Sequence, residues 1–191
     1  MGLFYSLKQY IEDFKLWLYQ NKLKFIALVL IVVVAFVFGI VMFVNNDGWW
    51  QLNRCKHINL LLCGNFFDLF FDAIFQLCML LLVLFLSCLH KYLQLIKYFA
   101  LIVGGIYVGA NVAGLFVAIG ICATIYAVFY VLFSLTILLL LCLDNVYPTE
   151  YCKRIVEVFV DCKKQILFIC SLSLMRFLLL FLILRPFSGV F

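Results

Sequence analysis

Apolar residues in this chain come in long unbroken runs separated by short polar stretches, rather than on one face of short elements. Residues 25–44 carry no charge and lie between Lys22 and Lys24 on one side and the polar turn Asn45-Asn46-Asp47-Gly48 on the other. Further runs cover residues 73–89, closed by His90-Lys91, then 99–119 and 121–143, which meet at Gly120, and 166–184, which ends at Arg185-Pro186. A helix rises 1.5 Å per residue, so about 20 apolar residues cross the ~30 Å hydrocarbon core of a bilayer. The pattern predicts an all-α, polytopic membrane bundle of five transmembrane helices, the third and fourth joined by a tight hairpin at Gly120. The first run is too long for a signal-peptide core and no small-x-small site follows Val44, so it reads as an uncleaved anchor.

Two polar segments have helical periodicity. Leu3, Leu7, Tyr10, Phe14 and Trp17 recur at spacings of three and four, with Lys8, Glu12 and Lys15 elsewhere on the helix, so residues 1–24 are expected to lie along the inner membrane surface. Residues 25–191 then form the membrane domain. After Pro148-Thr149, Tyr151, Ile155, Val158 and Cys162 share a face, which suggests an interfacial linker helix held by lipid headgroups. Between the first two spans, residues 51–72 mix Leu60-Leu61-Leu62 and the pairs Phe66-Phe67 and Phe70-Phe71 with Gly64, Asn65, Asp68 and Asp72. That mixture suggests a short interfacial or re-entrant helix.

Composition excludes a water-soluble fold: 69% of the 191 residues are hydrophobic and 12% charged, against roughly 45–50% and 25% in soluble domains. The formal net charge is +5. The basic residues are scattered between apolar runs, so no nucleic-acid stripe forms. They do set an orientation. Lys8, Lys15, Lys22, Lys24, Lys91, Lys97, Lys153, Arg154, Lys163 and Lys164 fall on one side, and Arg54, Lys56 and Arg185 on the other. Cytoplasmic loops are enriched in Lys and Arg, which predicts an N-in, C-out chain in a cell membrane, with Trp49 and Trp50 in an outer aromatic belt.

Chemistry-bearing motifs are scarce. None of the nine cysteines forms a C-x-x-C pair, and Cys78, Cys88, Cys122, Cys142 and Cys170 fall in or at the ends of spans, where cysteine behaves as a small hydrophobe. Cys55 and Cys63 share the outer loop, where oxidation is open to them, and Cys55 with His57 lacks further ligands for zinc. No nucleophile elbow, paired catalytic histidines or phosphate loop is present, so we expect no catalytic residue, no metal and no cofactor. His90, at the inner end of the second span, suits a headgroup contact. The strongest signal is Gly105-x-x-x-Gly109-x-x-x-Ala113, flanked by Gly104 and Gly114, a small-residue ridge that lets another helix approach closely, within the chain or in a homo-oligomer or partner. Asn111 in the same span needs a hydrogen-bonding neighbour. Arg176 stands ten residues into the fifth run, about 15 Å from its inner end. A central Arg costs roughly 2.5–3.5 kcal/mol even when it snorkels. The acids within reach are Asp72 and Asp68, four residues apart on one helix face, and a buried ion pair is expected.

Gly105-Ile106-Tyr107-Val108-Gly109, then Val112-Ala113-Gly114-Leu115-Phe116-Val117 and Gly120, resembles the glycine-rich third span and turn of the stage II sporulation protein M family. The first span with Phe38-Gly39-Ile40, the lysine-flanked amphipathic start and the five-span order resemble it as well. The likeness covers most of the chain, which departs from the family pattern in having no proline in the fourth run and Leu184-Arg185-Pro186 closing the fifth. The resemblance implies a non-enzymatic component of the bacterial cytoplasmic membrane. In that family's setting it helps to assemble peptidoglycan-degrading partners during engulfment of the forespore. The alternative is a substrate-binding or permease subunit of a small-molecule transporter, with Asn111, Asp68, Asp72 and Arg176 lining a pocket.

Overall fold

A computed structural model describes residues 12, 15–16, 18–45, 66–89, 91–142 and 155–184. Among these the chain is all-helical, with α1 Lys22–Asn45, α2 Phe66–Leu89, α3 Leu95–Ile119, α4 Ala123–Cys142 and α5 Ile155–Leu184. Short 3-10 turns, Lys91–Gln94 and Gly120–Cys122, join α2 to α3 and α3 to α4. Helices α1 to α4 are each long and apolar enough to cross a membrane, and α5 contributes a shorter apolar stretch, Gln165–Leu179. This is the layout of a multi-pass membrane protein.

The hairpin expected at Gly120 is present, and it depends on glycine. Gly120 has φ +66°, and its N–H bonds back to the Phe116 carbonyl, closing the last turn of α3. A side chain is strained in that region of backbone space. At the other end of the hairpin the Cys142 thiol donates to the Lys97 carbonyl oxygen at 3.4 Å, so the start of α3 lies beside the end of α4.

Two boundaries differ from the sequence expectation. Helix α2 begins at Phe66, not near residue 73, and absorbs the Phe66-Phe67 and Phe70-Phe71 pairs, for which the sequence suggests a separate interfacial or re-entrant helix. The acids that argued for interruption are accommodated. Asp68 sits in the first turn, where the helix dipole favours negative charge, and Asp72 accepts a hydrogen bond from Gln76 one turn on, at 2.7 Å. The second difference is in α5, which is continuous from Ile155 and so merges the expected linker helix with the fifth run. No Gly or Pro stands between Pro148 and Pro186 to break it. Most of the amphipathic N-terminal segment, the outer segment 51–65 with Cys55, Cys63 and His57, and also His90 lie outside the described residues.

Helix α4 is apolar all round and buried on two sides, as expected of a central helix. One cluster joins it to α1 and α3 through Leu28, Val32, Leu101, Val108, Val112, Leu115, Tyr126 and Tyr130. A second joins it to α2 and α5 through Leu84, Ile137, Leu140, Leu141 and Ile169. Gln165 on α5 reinforces that side by donating to the Leu140 carbonyl at 2.6 Å, near the end of α4, where carbonyls lack intrahelical partners.

The closest packing is between α1 and α3. Gly105 faces Val32 and Ala35, while Gly109 faces Phe36; a step of four on both helices shows that they run parallel. A Cβ added at Gly109 would collide with the Phe36 carbonyl oxygen, and one at Gly39 with the Ile106 carbonyl oxygen. At Gly105 it would stand 2.9 Å from Ala35 Cβ. The ridge is therefore filled by the first helix of the same chain. Gly114 is buried and Ala113 half-buried further along α3.

These contacts separate the glycines by consequence. Gly39→Ala and Gly109→Ala each place a methyl against a backbone that cannot move aside, and each should destabilise the purified protein by at least about 1–3 kcal/mol. Gly104→Ala meets only the flexible Leu138 side chain, nearest atom 2.5 Å, and gains up to ~1 kcal/mol of helix propensity. Thermal unfolding in detergent should show a clear drop for the first two variants and little change for the third.

Candidate functional site

Polar side chains from four helices converge in the apolar interior, with Arg176 of α5 at their centre. Its Nη2 donates to Gln76 Oε1 of α2 at 2.7 Å, and its Nη1 to Ser134 Oγ of α4 at 3.2 Å. Its guanidinium carbon lies 5.9 Å from the centroid of the Tyr130 ring, also on α4, within cation–π range. The Tyr130 hydroxyl in turn accepts from Asn111 Nδ2 of α3 at 2.8 Å. Thus α2, α3, α4 and α5 are tied through one guanidinium and one phenol.

The helices bring these groups together by ordinary periodicity. Ser134 and Tyr130 are four residues apart on α4 and so share a face, and both are buried. On α5, Gln165, Ile169, Ser173 and Phe177 recur every four residues as the buried face, which carries the adjacent Arg176 inward. On α2, Gln76 is one turn beyond Asp72.

Arg176, for which the sequence suggests an ion pair with Asp72 or Asp68, is linked to Asp72 through a relay. Gln76 accepts from Arg176 with its carbonyl and donates to Asp72 with its amide nitrogen. An amide is suited to this place because it carries an acceptor and a donor on one rigid plane. The positive end of the relay is in the bundle and the negative end one turn nearer the start of α2. Asp68 takes no part and is exposed.

Aromatic rings close the site on the side where α2 begins. Phe66 of α2 packs edge-on against Phe177 and Phe181 of α5, with centroids 5.5 and 5.1 Å apart, and Phe70 meets Phe177 at 5.8 Å. Below Tyr130, Tyr126 stacks at 5.7 Å with its ring nearly parallel. Its hydroxyl is buried and takes no hydrogen bond among the described residues, as is true of Ser173 Oγ. Apolar walls around a guanidinium strengthen every hydrogen bond it makes, because the local dielectric is low.

Of the residues singled out from the sequence, Arg176, Asp72 and Asn111 enter this network, while Gly105 and Gly109 belong to the α1–α3 contact. Gln76, Ser134, Tyr130 and Gly39 are structural partners that the sequence reading did not assign to a site. Gln76 was accessible to it: an amide four residues after Asp72, in a run otherwise apolar apart from Ser87, marks the same helix face. Among the described residues no group of His, Cys, Asp and Glu could hold a metal ion, and Cys78, Cys142 and Cys170 form no disulfide. The chain matches no protein-family model, no curated protein and no solved structure.

The relay makes a distinction that a direct ion pair would not. Arg176→Leu and Gln76→Leu should be coupled by about 1–2 kcal/mol in a double-mutant cycle, the range for a hydrogen bond to a charged group between membrane helices. Arg176→Leu and Asp68→Asn should add within ~0.5 kcal/mol. Chemical or thermal unfolding in detergent reads both.

Proposed function

We propose that this protein is a non-catalytic, five-span component of a bacterial cytoplasmic membrane that holds cell-envelope partners in place, oriented N-in and C-out. The role is the one implied by the resemblance to stage II sporulation protein M, whose partners remodel peptidoglycan. The observation that carries the reading is the contrast between an interlocked interior and an open flank. More than half of the apolar stretch of α3 is buried within the bundle, against 6% of that of α2. Phe67, Phe71, Phe75 and Met79 all point outward from α2. An interlocked bundle with apolar outer faces, of which that of α2 is the least covered, suits a body that binds other helices and does no chemistry itself. With the glycine ridge occupied by α1, α2 is the helix through which such contacts run.

A second reading, a permease subunit for a small polar solute, is favoured by the Arg176–Gln76–Asp72 relay and by Asn111 at the heart of the bundle. The two differ in what a purified sample does. A permease is stabilised against heat by its solute, while an assembly component co-purifies with envelope proteins and responds to no solute.

Affinity purification from native membranes should recover envelope proteins with wild-type protein and lose them when Phe71 and Phe75 are both replaced by Ala. Equal recovery from that variant, together with solute-dependent stabilisation of the wild type, would favour the permease. Orientation is tested by reporter fusions after Val44, His90 and Phe191, expected outside, inside and outside respectively. An inward reporter at Phe191 would contradict five spans.

A further inference from the structure

Helix α5 has a second face, beside the one that packs on α4 and carries Arg176, with Ile166 at the boundary between them. Lys163, Ile166, Leu167, Cys170, Ser171 and Leu174 line an open groove of about 400 Å³ there. From Lys163 to Leu174 is about 16 Å along the helix axis. Charge is confined to one end of it. Lys163 is exposed, and the stretch 153–164 that contains it carries four basic and two acidic residues, so its net sign is positive. Beyond Lys163 the lining is apolar. Ser171 conforms to this, since its hydroxyl donates to the Leu167 carbonyl at 2.8 Å and is tied into its own helix. The apolar stretch Gln165–Leu179 begins two residues after Lys163, so the ammonium stands where hydrocarbon gives way to headgroups.

A cation at the mouth of a ~16 Å trough whose described lining is otherwise apolar has the layout of one phospholipid, with phosphate at the ammonium and an acyl chain along the trough. An acyl chain that enters the groove comes from other lipid and not from water, so its burial changes little, and the headgroup decides which lipid stays. An ammonium favours a net negative headgroup over a zwitterionic one. We propose that this groove is a binding site for an acidic phospholipid, whose phosphate is held by Lys163 and whose acyl chain lies against Ile166, Leu167, Cys170 and Leu174.

The full chain is placed in phosphatidylcholine vesicles that contain a trace of phosphatidylglycerol or phosphatidylcholine bearing a photoreactive diazirine on one acyl chain. After illumination, adducts are mapped by peptide mass spectrometry. Adducts on residues 166–174 should be about fivefold more abundant with the phosphatidylglycerol probe, the ratio equivalent to ~1 kcal/mol for one Lys at an anionic surface. Lys163→Gln should bring the two probes to parity while unfolding at the wild-type temperature, because Lys163 is exposed. Leu167→Trp should lower the phosphatidylglycerol adducts by filling the trough. Equal labelling of the wild type by both probes would overturn the proposal in favour of unselective lipid. Absence of adducts with either probe would show the groove closed to lipid and overturn it as well. A preference that survives Lys163→Gln would remove the assigned role of the ammonium.

Discussion

Backbone-to-backbone contact between α1 and α3 is the constraint on which the bundle depends. Lipid tails are as apolar as Leu or Val, so helices inside a bilayer gain nothing from hiding hydrophobic side chains from each other. What holds them is close van der Waals contact, which large side chains keep at a distance. Gly39 against the Ile106 carbonyl and Gly109 against the Phe36 carbonyl bring the two helices as near as their main chains allow. Dispersion is weak per atom pair and large in sum, and a rigid backbone interface collects more of it than flexible side chains would. Because α3 is also tied to α4 by the Gly120 turn, fixing α1 on α3 fixes three of the five helices.

The remaining helices are joined by polar chemistry. Arg176 is costly in an apolar interior unless it is satisfied, and that cost confers specificity: α5 has one register in which its guanidinium meets Gln76, Ser134 and the Tyr130 ring together. Sliding α5 by a turn leaves a charge among Leu and Phe side chains. The network therefore positions α2 and α5 more sharply than their apolar contacts do, and α2 needs this most, since little of its own surface is buried.

The all-helical, multi-pass character and the approximate positions of four membrane-crossing helices were legible because long apolar runs of lipid-crossing length are a strong signal in any sequence. The hairpin at Gly120 was legible for a related reason: two runs with one residue between them leave no other geometry. Boundaries were less accessible. Asp68 and Asp72 look like interruptions in a linear string, but one lies in a helix's first turn and the other is bonded by Gln76, and both facts need the helix to be seen. The same applies to the site. A charge in an apolar run marks Arg176, and a search for carboxylates alone does not find the amide that carries the interaction across the intervening turn. Ser134 and Tyr130 gave no warning, because Ser and Tyr are common in membrane helices and only the meeting of α4 with α5 gives them a role. Gly39 stands alone in its run, with no second glycine four residues away to mark a ridge.

The bond between Gln76 and Asp72 lies within α2, so it needs no other helix in order to form. Chains are synthesised from the N-terminus, and α5 is made after α1 to α4 have left the ribosome. In that interval the pairing of carboxylate and amide is open to α2 alone, and it leaves the Gln76 carbonyl as an acceptor. Arg176 arrives last, and the partners it requires are by then arranged. The final helix thus closes the assembly and does not begin it, and a chain cut short before α5 leaves four helices whose polar groups were set in place for a cation that never comes.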